Sequence, residues 1–343
     1  MDSTLLRLGA LGSAALLTLG LAACGSEPAA EEGDTAASGD GAFPVEIEHA
    51  LGTAEITETP ERVVTLGQGS ASIAFSLGTT PVGIERYDWG SDETGYVPWL
   101  YEAVTEAGEE LPEQFTGGTE IDFEAIIELE PDVILAPWSG ITQEQYDILA
   151  DIAPTVAYAE EAWNAEWDQQ IEVVAQALGR PEQAQVLIDD IGAQFAEVRE
   201  ANPEFADLTF SYIFTEGPGT LGVIMPTEQR VAMVSNMGLT VDPVVETFEE
   251  REGTDSALIG LENADQLSGS DLLFTFYSDP EYRAEIEAQE LYASIPAIES
   301  GAVVAAEENS FVTASSIINP LTVPWILDRY VPLIHEAAAN VDG

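Results

Sequence analysis

Short apolar runs alternate with amphipathic stretches along most of the chain. Val63-Val64-Thr65-Leu66, closed by Gly67, predicts a buried strand, and residues 71–77, stopped by Gly78, predict a helix. Residues 81–84 predict a second strand. Residues 124–129 predict a helix ended by Glu130-Pro131, and residues 132–136 a third strand. Residues 146–152 read as a helix and 154–158 as a fourth strand. Strands that alternate with helices imply a mainly parallel sheet.

The rhythm then changes. Residues 163–178 predict a helix with no strand after it, and Gly179-Arg180-Pro181 breaks it. Residues 182–201 carry Ala184, Leu187, Ile188, Ile191, Phe195 and Val198 at spacings of three and four, one face of a helix about 30 Å long. After Asn202-Pro203 the alternation resumes. Strands are expected at 208–214, 271–276 and 301–305, with 220–225 pairing back on the first of them across Gly217-Pro218-Gly219. Helices are expected at 230–237 and, interrupted at Pro324 and Pro332, at 321–338. The pattern describes two α/β lobes, 43–160 and 204–343, joined by connecting helices over 161–203.

The first 23 residues read as a signal peptide. Their apolar part, residues 8–21, is about 14 residues long, short of the roughly 20 that a membrane-crossing helix needs. It runs into Leu21-Ala22-Ala23-Cys24-Gly25-Ser26, which resembles the processing site of bacterial lipoproteins. On that resemblance Cys24, the sole cysteine, is the lipidated first residue of the mature chain. Residues 25–42, small and acidic with no aromatic, bury too little to offset their ordering entropy and read as a tether.

Composition removes several classes of function. There are 63 Asp plus Glu against 9 Lys plus Arg, and every one of the nine is Arg, so the formal charge is −54. Such a surface repels phosphate backbones and anionic membranes alike, which excludes nucleic acid as a partner. The acidity has two competing readings, adaptation to high salt and drift in a GC-rich genome. One cysteine and two histidines give no metal cluster and no Cys–His pair. No Gly-x-Ser-x-Gly elbow and no phosphate-loop Lys occur, so catalysis is not expected.

Several segments in combination resemble the iron–siderophore binding proteins of bacterial ABC uptake transporters, a family that includes ferrichrome-, ferric-enterobactin- and cobalamin-binding members. They are Pro60-Glu61-Arg62-Val63-Val64-Thr65-Leu66-Gly67, Leu77-Gly78-Thr79-Thr80-Pro81-Val82-Gly83, Asp122-Phe123-Glu124 through Pro131-Asp132-Val133-Ile134-Leu135, and Ile152-Ala153-Pro154-Thr155-Val156. Leu261-Glu262-Asn263-Ala264-Asp265-Gln266-Leu267 echoes the theme weakly, and the likeness extends over residues 45–338. The resemblance implies two Rossmann-like lobes joined by a single long backbone helix, as in helical-hinge substrate-binding proteins. It implies an inter-lobe cleft for a small-molecule ferric siderophore, and a permease dimer with a cytoplasmic ATPase as partner. The iron is then held by its chelator, so no cofactor is expected, and the protein is expected to be an extracytoplasmic, lipid-anchored monomer. Haem or cobalamin is the alternative cargo. A packed helix resists bending, so a largely pre-formed cleft is expected.

Ligands of open parallel sheets sit beyond the carboxyl ends of the strands. That rule selects Gln68 in Gly67-Gln68-Gly69-Ser70, whose free N–H groups favour an anion; Arg86, Tyr87 and Trp89 after the second strand; and Trp138 after the third. In the second lobe it selects Arg230, Tyr277 and Arg283. Arginines suit an anionic chelate and aromatics its flat arms. Trp163 and Trp167 are read as packing, as are Trp99 and Trp325, and the 92–120 loop as a possible rim. The family resemblance assigns Glu124 and Glu262, both opening helices, to docking on Arg pockets of the permease.

Overall fold

The computed structural model describes residues 43–251 and 253–341. The expected signal segment, Cys24 and the 25–42 tether lie outside the described residues. The chain first makes an antiparallel hairpin that the apolar pattern did not announce, β1 (Val45–His49) and β2 (Gly52–Ile56). Of its ten residues only Ile47, Ala54 and Ile56 are buried, one face of a two-sided ribbon.

The first lobe follows the expected rhythm: β3 (Val63–Thr65), α1 (Ser70–Ser76), β4 (Gly83–Glu85), α2 (Pro98–Ala107), β5 (Glu113–Phe115), α3 (Phe123–Glu128), β6 (Val133–Leu135), α4 (Gln143–Ile152) and β7 (Thr155–Val156). The strands are all parallel, in the order β5-β4-β3-β6-β7. Both faces are covered, which is why the strands read as unbroken apolar runs. Val63, Val133 and Leu135 pack with Ile73 on one face; Val64 and Ile134 pack with Ile126 and Leu149 on the other. α4 begins three residues earlier than its apolar stripe suggested, because Thr142 and Gln145 close a capping box. The 92–120 loop is partly regular, since it contains α2 and β5.

Two helices link the lobes, α5 (Trp167–Ala177) and α6 (Pro181–Ala201). α5 starts later than expected: Trp163 has φ 62°, a left-handed conformation that no α-helix contains. α5 lies against α1 and β1, and α6 runs on from it toward the second lobe. The 21 residues of α6 span about 31 Å.

The second lobe comprises β8 (Thr209–Phe214), β9 (Gly222–Ile224), α7 (Gln229–Asn236), β10 (Thr240–Val241), β11 (Ser256–Leu258), β12 (Leu272–Phe276), α8 (Pro280–Glu287), α9 (Glu290–Ala293), α10 (Pro296–Ser300), β13 (Val303–Ala306), α11 (Asn309–Ser315) and α12 (Thr322–Ala338). Its sheet has the order β11-β9-β8-β12-β13, with β10 also on β8. β9 is antiparallel to β8, as the Gly-Pro-Gly turn implied. α12 is one continuous helix, not an interrupted one. Pro324 sits in its first turn, where a missing N–H costs nothing, and the buried stripe Val323, Ile326, Leu327, Tyr330 and Ile334 carries the helix past Pro332. No helix among the described residues is long and apolar enough to cross a membrane.

Candidate functional site

In the first lobe the chain starts at β3, moves outward through β4 and β5, then returns to β6 and β7 on the other side. The switch point therefore lies between the carboxyl ends of β3 and β6, where a parallel sheet leaves a crevice. The loops after those strands meet there. Gly67, at φ 73°, stands so close to the Trp138 carbonyl that any Cβ would collide with it.

Two cavities open along this line, each walled by both lobes. The first is lined by Gln68, Glu85, Tyr87, Tyr96 and Trp99 of the first lobe and by Thr313 and Ile317 of the second. The second lies between Trp138, Trp163 and Glu166 on one side and Thr227, Gln229 and Ser316 on the other. The segment 313–317 thus touches both cavities, and Gln229 steadies it by accepting a bond from the Ile318 N–H at 2.9 Å. The lobes meet directly as well. Trp99 of α2 packs edge-on against Trp325 of α12 at 5.6 Å, and Arg329 stacks on the Trp325 ring at 3.7 Å.

Of the residues selected from the sequence, Gln68, Tyr87 and Trp138 are brought to these cavities. The others are not. Arg86 alternates outward between the cavity-lining Glu85 and Tyr87 and pairs with Asp88 at 3.0 Å. Trp89 is 40% exposed and lines neither cavity. Arg230 turns inward to Glu228 at 2.6 Å and over the Phe276 ring at 5.5 Å. Tyr277 is a core residue, 2% exposed, its hydroxyl bonded to that of Tyr292 at 2.9 Å. Arg283 faces a groove made by the second lobe alone, paired with Glu287 and Glu307. Three expected arginines thus pair with the protein's own carboxylates, because acids outnumber them so heavily.

The anion expected at the Gly67 turn is likewise supplied from within: Glu85 Oε2 accepts from the Gly67 N–H at 2.7 Å. Burial raises the Glu85 pKa above the ordinary carboxylate value, partly offset by the Gly67 and Gly118 N–H groups. Burial also raises that of Glu228, and Arg230 opposes the rise.

Sequence reasoning missed Glu85, Thr313 and Ile317 as cavity residues, whereas Tyr96 and Gln114 come from the 92–120 segment expected at the rim. Trp99 and Trp163 were read as packing alone. Trp99 does pack, yet it also lines the first cavity; Trp163 is 48% exposed and meets Trp138 edge-on at 4.8 Å. Only the offset of Glu85 from Tyr87, two residues along a strand end, could have signalled the first of these.

Glu124 is exposed in the first turn of α3, while Asp122 makes the cap by accepting from the Ala125 N–H at 3.0 Å. Glu262 is exposed and opens a kinked 3-10 segment, Leu261–Gly269, not a regular helix. His49 packs on Tyr146, and His335 bonds Asn202 at 2.7 Å, both away from the cavities.

Known structures share this arrangement. The chain is similar to PiaA of Streptococcus pneumoniae TIGR4, solved in complex with ferrichrome, with a TM-score of 0.76 and 28% identity, covering 86% of this chain and 99% of that one. It is similar to a periplasmic solute binding protein of Mycobacterium smegmatis str. MC2 155, with a TM-score of 0.72 and 25% identity, covering 86% and 98%. It is 27% identical over 165 residues to YhfQ of Bacillus subtilis (strain 168), described as an ABC transporter substrate-binding lipoprotein; the match spans 46% of each chain. The family is one of binding proteins, not enzymes. With its model matching residues 63–309, the chain belongs to the periplasmic binding protein family.

Proposed function

We propose that this protein captures a ferric siderophore between its lobes and presents it to the permease of an ABC importer. The observation that carries the reading is the pair of inter-lobe cavities at the switch point, walled by aromatic, amide and acidic side chains. Flat chelating arms suit Tyr87, Tyr96 and Trp138, and Gln68 and Gln114 offer neutral hydrogen bonds. The iron is cargo held by its chelator, and the binding protein acts as a monomer. Cys24 carries the lipid that keeps it at the outer face of the cell membrane. Glu124 and Glu262, one exposed on each lobe, dock on the two-fold permease with its cytoplasmic ATPase.

The test is a tryptophan fluorescence titration of the full-length protein against ferric hydroxamates, ferric catecholates, haem and cobalamin. Saturable quenching by one ferric siderophore, weakened in Tyr87→Ala, is the expected result. Quenching by haem or cobalamin alone would replace the cargo, and no binding by folded protein would sink the proposal.

A further inference from the structure

We propose that Glu85 is the charge filter of the cleft, admitting ferric complexes of zero or positive net charge, such as trihydroxamates, and rejecting anionic tris-catecholates. The inference rests on the siderophore reading above and names the chemical class of its ligand.

Glu85 is the last residue of β4, one strand from the β3–β6 crevice, and its carboxylate reaches the Gly67 turn that follows β3. It is the one charged side chain lining the first cavity. Its position is fixed. The Gly67 N–H holds Oε2 at 2.7 Å, the Gly118 N–H also bonds the carboxylate, and Gly117 lies so close that a Cβ there would strike it. A half-buried carboxylate held this way is poorly screened by salt and cannot swing aside.

No ion pair among the described residues includes it. The chain has no Lys, and each of the eight arginines among the described residues is already engaged. Arg62 bonds the Leu129 carbonyl, Arg180 that of Leu77 and Arg199 that of Asn236. Arg86, Arg230, Arg251 and Arg283 pair with acids, and Arg329 bonds the Trp325 carbonyl. The second cavity adds Glu166, Asp255 and Glu228, the last of them paired with Arg230. A ferric trihydroxamate is neutral, since three singly charged arms balance the metal, and an amine arm makes it cationic. A ferric tris-catecholate carries a triple negative charge, which this cleft meets with more negative charge.

The competing explanation is that Glu85 only ties the Gly67 and Gly118 turns together. Glu85→Gln keeps an acceptor oxygen in the same place and removes the charge, so it separates the two. The experiment titrates full-length wild-type and E85Q protein with ferrichrome, ferrioxamine B and ferric enterobactin, at low and high salt, after thermal melting confirms that both fold. Wild type is expected to bind the first two at least about tenfold more tightly than the third at low salt, about 1.4 kcal/mol. E85Q is expected to narrow that ratio by a similar factor, and added salt to narrow it in wild type. Equal affinity for the tris-catecholate, or a ratio unmoved in E85Q, overturns the filter. Binding of none of the three overturns the siderophore reading and the filter with it.

Discussion

Single residues set the geometry of the cleft, and they differ in how much a change there costs. Gly67 faces a backbone carbonyl at φ 73°, and neither can yield. Gly67→Ala is expected to destabilise the fold by about 2 kcal/mol or more, read as a lower urea midpoint. Gly140 faces only the indole of Trp163, a half-exposed side chain that can move. Gly140→Ala is expected to leave stability within about 0.5 kcal/mol, yet to break the Trp138–Trp163 edge contact and weaken ligand binding several-fold. Loss of the near-ultraviolet circular dichroism of that pair would check it. Glu85 contributes a pH dependence. Its folded pKa lies above its unfolded one, so the native state holds the proton more tightly and stability falls as pH rises from the ordinary Glu value through the raised one. Glu85→Gln removes this penalty. The melting temperature of E85Q relative to wild type is therefore expected to be higher at pH 7 than at pH 4, and an unchanged difference would contradict it.

At the scale of elements, α6 is fastened at each end to a different lobe. Arg180, at its start, donates to the Leu77 carbonyl at the end of α1; Arg199, in its last turn, donates to the Asn236 carbonyl at the end of α7. A guanidinium on the carbonyl end of a helix satisfies an orphan acceptor and the helix dipole together. Arg180→Ala is expected to cost about 1–2 kcal/mol, and Arg199→Ala less, because Arg199 is exposed. Lying roughly 28 Å apart on one helix, the two changes should add to within about 0.5 kcal/mol in urea titrations. These helices were legible from sequence because their apolar stripes have a clear period. β1, β2 and α11 were not. The hairpin buries three of ten residues, and α11 hides Phe311 through Ser315 on every side, so neither leaves a one-faced pattern.

For the whole molecule the acid surplus dominates. At about 0.1 M salt charges interact over about 10 Å, and at about 1 M over about 3 Å. A chain with formal charge −54 is therefore expected to melt at a clearly higher temperature in 1 M salt, as self-repulsion is screened. A melting temperature independent of salt would show that the surface charges lie too far apart to matter. The same surplus explains why Arg86, Arg230 and Arg283 did not reach the cleft: each is held by an acid close by.

The sequence by itself determined the alternation of strands and helices, the long connecting helix and the family, because each is written in local apolar periodicity and short contiguous motifs. It also placed the cleft at strand ends, a consequence of parallel topology. Which side chains face that cleft was decided only by tertiary structure. Arg86 and Glu85 are neighbours in the chain, yet strand alternation sends one to solvent and the other to the crevice. Thr313 and Ile317 lie more than two hundred residues from Tyr87 and face the same cavity, since the lobes meet through Trp99 and Trp325. Charge pairing and inter-lobe contact are properties of distance in space, and distance in space is what a linear pattern does not carry.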